Sequence, residues 1–307
     1  MFFGPKMISN SSEKRLLAMP NQSSPRITSP WLLTLPSLLL FVGLLAVPLS
    51  LLIILSFNAF EGMQGIQDVF TPNNYLEILT DVYFYELFAR TAGMALGVTI
   101  ICILLGVPET IILGRMRSSL QGLFFVVILG PLLISVVVRT LGWQILLGRQ
   151  GPLNSILMWV GVVDAPVQFL FSMTGIVIVL THVLLPFMVI AVWSAQHKLD
   201  PQVENAARSL GAGPMTTFRR VTLPQLMPGI LSGGLIVFTL SASAFATPAI
   251  IGGRRVKVVT TAIYDEFLTS LNWPLGAAIS MLLLIGIAAI VIGSNRLIER
   301  RFKQVFT

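Results

Sequence analysis

Charge is what this sequence has least of. Of its 307 residues 11% are charged and 55% are hydrophobic, whereas about a quarter of a soluble domain is charged. The apolar residues gather in runs of about 20, the length that crosses a hydrocarbon core, so a water-soluble fold is excluded. Carboxylates are scarcest where an ion-coupled carrier would keep them, at membrane depth. Among the apolar runs only Glu109 falls inside one, near its inner end, and that disfavours a secondary carrier. Groups for chemistry are as scarce. The single cysteine, Cys102, excludes an intrachain disulfide and lies in an apolar run, lipid-facing or packed. Of two histidines, His182 is inside a run and His197 just beyond it. No His-Glu-x-x-His, Cys/His cluster or Gly-x-Ser-x-Gly occurs, so an enzyme is disfavoured. His182 alone in a span reads as a packing or hydrogen-bonding residue rather than a base. None of the five lysines follows a glycine, so the phosphate-binding loop Gly-x-x-x-x-Gly-Lys-Ser/Thr is missing. A chain of this kind is expected to bind no metal or cofactor and not to power itself.

What is present is six apolar runs: Trp31–Phe57, Phe88–Leu113, Leu123–Leu146, Phe171–Trp193, Ile230–Ile251 and Leu275–Leu297. The expected fold is an all-α integral membrane domain of six transmembrane helices over residues 31–297. Trp31–Phe57 is too long for a leader's apolar core and is read as a retained span. Residues 1–30, rich in Ser, Asn, Pro and basic residues, read as a disordered cytoplasmic tail, and 298–307 as a second cytoplasmic tail. The net charge is +7. With the N-terminus inside, fourteen of the 20 basic residues fall in inner segments, whereas the loop Asn58–Leu87 holds five carboxylates. Basic residues collect in cytoplasmic loops, so both termini are placed inside and the positive charge reflects topology, not nucleic-acid binding. Pro36, Pro48, Pro108, Pro131 and Pro186 lie within spans as ordinary span composition or as kinks lining a cavity. The span glycines, Gly233 and Gly234 among them, read as helix-packing residues.

Between the fourth and fifth spans, over 195–227, lies a polar and basic segment. Asp200 can cap a helix and Pro201 fits its first turn. Val203, Ala206, Ala207 and Leu210 then recur at i, i+3, i+4 and i+7, one apolar face. Glu204 and Arg208 are an i, i+4 pair. Gly211 and Gly213 can end the helix and reverse the chain. Pro214 starts another, with Phe218 and Val221 on its apolar side, and Pro224 is expected to end it. The face is too small and narrow for burial in lipid headgroups, and the turn glycines impose a shape. The segment therefore reads as a docking element for a soluble partner.

The same residues resemble the signature loop of ABC-importer permeases: Glu-Ala-Ala, three residues, Gly, nine residues, Ile, one residue, Leu-Pro. Here it reads Asn205-Ala206-Ala207, Gly211, Val221 and Leu223-Pro224, with every spacing kept. Asn205 stands where the family carries Glu. Glu204 is adjacent, but about 100° away around a helix, so any charge-based contact at that position is in doubt. Four further stretches, Val136–Leu157, Leu184–Pro201, Phe245–Gly253 and Asn272–Ala278, are similar to the spermidine/putrescine permease subfamily, which also includes permeases for other small amino compounds and phosphonates. The resemblance implies a type I importer fold and a multi-pass protein of the bacterial inner membrane. It implies pairing with a second homologous permease, two ATPase subunits that hold ATP and Mg, and a periplasmic binding protein that delivers the solute. The coupling residues it implies are Glu204, Asn205, Ala206, Ala207, Leu210, Gly211, Gly213, Phe218, Leu223 and Pro224.

Candidates for the solute pathway come from the residues alone. Arg139 and Trp143 occupy the last part of the third span, in the outer interface or in a water-lined cavity. A charge there is expensive unless paired or hydrated. Asp265 and Glu266, beside Tyr264 and Phe267, form a carboxylate–aromatic group suited to an organic cation. Nearby Arg254, Arg255 and Lys257 would oppose a cation or meet an acidic binding protein, which leaves the solute's charge open.

Overall fold

Capping residues and prolines set where the apolar helices begin and break. A computed structural model describes residues 30–62 and 64–306. The N-terminal tail lies outside these residues except for Pro30, which opens helix α1 (Pro30–Ser56). The chain divides into two units between Leu51 and Leu52. The described part of the first is α1 up to Leu51; its large side chains, such as Phe41 and Leu44, are exposed. A helix apolar all round belongs in hydrocarbon or in a protein core.

The second unit opens with the end of α1 from Leu52 and continues into an antiparallel hairpin, β1 (Asn58–Glu61) and β2 (Gly65–Phe70), followed by helix α2 (Asn73–Thr80). This hairpin occupies the acidic outer loop and is, among the described residues, the one departure from an all-α fold. Buried Asn74 ties it down, its amide donating to the carbonyls of Ser56 and Asn58 at 2.9 Å each.

Helix α3 (Val82–Gly114) starts six residues before the expected span, because the Asp81 side chain accepts the Tyr83 N–H at 2.8 Å and caps it there. Its 33 residues extend about 50 Å, more than a bilayer's apolar thickness. Buried Thr91, Thr99 and Thr110 donate to carbonyls one turn back at 2.7–2.8 Å, so their hydroxyls cost little in an apolar setting. Cys102 is packed, fully buried with its thiol towards the Thr181 carbonyl at 3.7 Å.

Helices α7 (Met173–Gln196) and α10 (Leu223–Ala242) complete the core with α3. Here glycine matters. A Cβ at Gly233 would lie 2.9 Å from the Ala191 Cβ, and one at Gly229 would run into Ala195. Small residues four apart on both helices let the backbones touch, the usual way membrane helices gain dispersion contacts. The packing role expected of Gly233 is the one observed.

The third span is not continuous. Helix α4 (Ser118–Leu129) runs into a tight turn at Gly130–Leu133, and helix α5 (Val136–Leu146) leaves it at 99°. Pro131 has no N–H to continue the α-helical ladder; the helix tightens there, and the chain bends at Ile134–Ser135. Helix α6 (Pro152–Trp159) follows in the next loop. Among the described residues five helices are long and apolar enough to cross a membrane, and the bent pair makes six.

The fifth span is displaced from its expected place. After helix α8 (Pro201–Ser209), helix α9 (Pro214–Thr217) leads through a π turn at Phe218–Thr222 straight into α10. Pro224 does not end that helix: it sits in the first turn of α10, where its missing N–H is tolerated, and the Leu223 N–H closes back on the Phe218 carbonyl. The apolar stretch is one helical run, Pro214–Ala242, and the chain breaks after Ala242, inside the expected span. A second π turn at Pro248–Gly252 and helix α11 (Val259–Leu268) come next. Helix α12 (Trp273–Phe306) is capped by Asn272, whose side chain accepts the Leu275 N–H at 3.2 Å. It carries the sixth span and continues through residues 298–306, read from the sequence as a tail.

Gly233→Leu is expected to lower the stability of the purified protein by about 1–3 kcal/mol, the usual range for overpacking. Gly93→Leu, where a Cβ meets nothing within 4 Å, is expected to leave it unchanged. Equal melting temperatures for the two variants in detergent would refute the close-approach account.

Candidate functional site

The polar segment is folded as a capped helix presenting a bare apolar edge. Asp200 accepts the Gln202 N–H at 2.9 Å and starts α8. Glu204 and Arg208 pair across one turn at 2.7 Å. At the other end the Gly211 N–H meets the Arg208 carbonyl at 2.9 Å and the Ala212 N–H meets the Ala207 carbonyl at 3.1 Å. This is a Schellman cap, which needs a left-handed residue at its centre. Gly211 supplies it, with φ of 84°. No neighbour crowds this glycine, so backbone conformation alone demands it. Gly213 precedes α9, and its carbonyl accepts both the amide (2.9 Å) and hydroxyl (3.1 Å) of buried Thr217.

Val203, Asn205, Ala206 and Leu210 are exposed, Leu210 at 89%, and so is Met215 on α9 at 73%. Ala207, Glu204, Phe218 and Leu223 are half-buried on the inner side, and Pro224 is exposed. The expected apolar face is therefore divided: Ala207 turns partly inward while Val203, Ala206 and Leu210 remain outside. Behind α8 lies a cleft of about 350 Å³ that borders Arg115, Gln121, Trp193, Gln196, Asp200 and Glu204. It thus touches the inner ends of α3, α4 and α7. Trp193 bridges two of these ends, edge-on to Phe125 of α4 at 5.1 Å and against His197 at 4.3 Å.

A second polar group lies deeper. Arg139 and Trp143 share one face of α5, and the indole N–H of Trp143 donates to His182 Nδ1 at 3.1 Å. His182 is about 14 Å along α7 from its start, at 1.5 Å per residue, so Trp143 meets a residue well inside that candidate span. Nε and Nη1 of Arg139 are enclosed and meet no acceptor. Thr140 holds the base of α5, its hydroxyl 3.3 Å from that of Thr247.

The carboxylate pair is arranged differently. Both residues are on α11. Asp265 is held by Lys257 at 2.6 Å, and this hydrogen bond raises the Lys257 pKa. Glu266 lies against Gly276 of α12; burial raises its pKa, offset in part by a hydrogen bond from Ser270. Tyr264 stacks on Phe245 at 4.8 Å, both exposed. The sequence candidates thus fall into an arginine–tryptophan pair joined to His182 and a carboxylate pair engaged in holding α11.

Residues 27–304 match the model of the family described as the binding-protein-dependent transport system inner membrane component. The chain belongs to this family. Among its relatives, the spermidine/putrescine transport system permease protein PotB of Escherichia coli (strain K12) is 35% identical over 248 residues, covering 81% of this chain and 89% of that one. PotB of Salmonella typhimurium (strain LT2) is 33% identical over 271 residues, 87% of this chain and 93% of that protein. The molybdenum transport system permease protein ModB of Mycobacterium tuberculosis is 34% identical over 222 residues, covering 72% of this chain and 78% of its own length. A crystal structure of a bacterial alginate ABC transporter in complex with a pentasaccharide-bound periplasmic protein contains a chain of the same fold. Its TM-score is 0.70 at 18% identity, over 88% of this chain and 93% of that one. As an inner membrane component the chain is a transport subunit, not an enzyme.

The histidine was visible in the sequence but not its place. A lone His in a span usually packs; this one is exposed on a helix that is otherwise the most enclosed of the spans. Its tie to Trp143 depends on the 99° turn before α5, which periodicity does not signal.

Because the Glu266 pKa is raised above its unfolded value, its ionisation opposes folding. That group's favourable contribution is complete below the unfolded pKa and is lost as pH rises through the folded one. Glu266→Gln is expected to raise the melting temperature at pH 7, with the gain vanishing near pH 4. A gain that is the same at both pH values would contradict this.

Proposed function

We propose that this chain is a transmembrane permease subunit of an ATP-driven ABC importer in the bacterial inner membrane. It works with a second homologous permease, two ATPase subunits that carry ATP and Mg, and a periplasmic binding protein. The solute is a small amino compound: a polyamine, as named for the PotB relatives, or an amino compound bearing an anionic group, such as a phosphonate or amino acid derivative.

The observation that carries this reading is the rigid, solvent-facing edge Val203–Ala206–Leu210 on a helix closed at both ends. An exposed apolar edge on a defined scaffold suits insertion into a partner's groove. In this mechanism the edge sits in the ATPase, and ATP-driven closure of the ATPase pair displaces α8. The cleft behind α8 borders α3, α4 and α7, so the displacement reaches three span ends together. The spans then rock between outward- and inward-open states, and hydrolysis returns them.

Gly211→Leu forces a side chain into a left-handed conformation, which costs about 1–2 kcal/mol, and tilts the end of α8. Uptake in proteoliposomes is expected to fall by about tenfold, the factor that ~1.4 kcal/mol represents, with membrane insertion intact. Wild-type uptake in that variant would refute the coupling role. Uptake that survives removal of the ATPase subunits would refute the importer itself.

A further inference from the structure

We propose that Arg139, Trp143 and His182 form a contact point on the solute route that takes an anionic oxygen-bearing group. The transported compound then carries a carboxylate or phosphonate beside its amine. This rests on the importer reading above and narrows its solute class.

An indole N–H can only donate, so His182 Nδ1, 3.1 Å from it, must accept. The imidazole is thereby held neutral with its proton on Nε2. His182 is exposed on α7, so Nε2–H is a donor facing open space within a candidate span. Arg139 stands one helical turn before Trp143 on the same face of α5, and Trp143 is bonded to the ring. Nε and Nη1 of Arg139 are enclosed without an acceptor, which leaves Nη2 as the nitrogen through which the guanidinium can be approached. A cation enclosed in this way requires a counter-charge or water.

The group therefore offers donors and positive charge and no acceptor. A protonated polyamine also offers only donors, so the two do not match. A carboxylate or phosphonate group supplies the acceptor oxygens that both residues lack. The location fits a route rather than a sealed core. Non-helical backbone at membrane depth is tolerated where protein buries it or a cavity hydrates it, and the break at Ile134–Ser135 sets α5 beside the exposed His182 of α7.

The test is equilibrium dialysis of the purified permease–ATPase complex in nanodiscs, without binding protein. The probes are radiolabelled 2-aminoethylphosphonate, 4-aminobutyrate and putrescine, which share an amine and differ in the anionic group. Saturable binding of at least one anionic probe is expected, weakened tenfold or more by Arg139→Gln and by His182→Phe, with putrescine failing to compete. No saturable binding of either anionic probe up to about 10 mM overturns the proposal. So does putrescine binding that both variants leave unchanged or strengthen. Separation of the two permeases by Arg139→Gln would assign the arginine to a carboxylate of the second permease and also overturns it. If Arg139→Gln does not assemble at all, His182→Phe decides alone. Loss of the ATPase from the wild-type complex would strike the importer reading instead, while probe binding would still decide the site.

Discussion

The backbones of α7 and α10 touch where Gly229 and Gly233 face Ala195 and Ala191. Little else in the second unit could be arranged as it is without that contact. In lipid there is no hydrophobic force to press helices together, so close approach supplies the dispersion energy that defines the pair. Helix α8 and its turn connect the inner ends of these same two helices. The α8 segment is thus joined at both ends to helices whose backbones approach closely.

Polar groups in the membrane region follow two patterns. Thr91, Thr99 and Thr110 return their hydroxyls to their own helix and leave nothing for a ligand. Arg139 and His182 do not. One has enclosed nitrogens without an acceptor, and the other is tethered at Nδ1 and open at Nε2. This contrast sets groups whose hydrogen bonds are closed within their own helix apart from groups left with donors to spare. The carboxylates on α11 are engaged as well: Asp265 holds Lys257, and Glu266 is half-buried against the start of α12.

Much of this was legible in the chain itself. The spans follow from apolar runs, and the ends of α8 follow from Asp200 and Gly211, because capping is local chemistry and leaves local marks. Less legible were features that depend on distant partners. Pro224 has the sequence mark of a stop, yet a π turn beside it lets the helix run on. Residues 123–146 are mostly apolar, and hydropathy does not record that the chain turns between Leu133 and Val136. The pairing of Trp143 with His182 joins residues 39 apart in sequence, and only the folded chain places them side by side.

The π turn at Phe218–Thr222 has a geometric consequence. Such a turn accommodates one residue more than the α-helical turn it replaces, and one residue is about 100° of helical phase. Everything before Phe218, including α9 with its exposed Met215 and the turn at Gly211, is therefore set about 100° out of step with α10 around their common axis. The azimuth of the exposed Met215 about that axis is counted in residues, and a single one of them sets it.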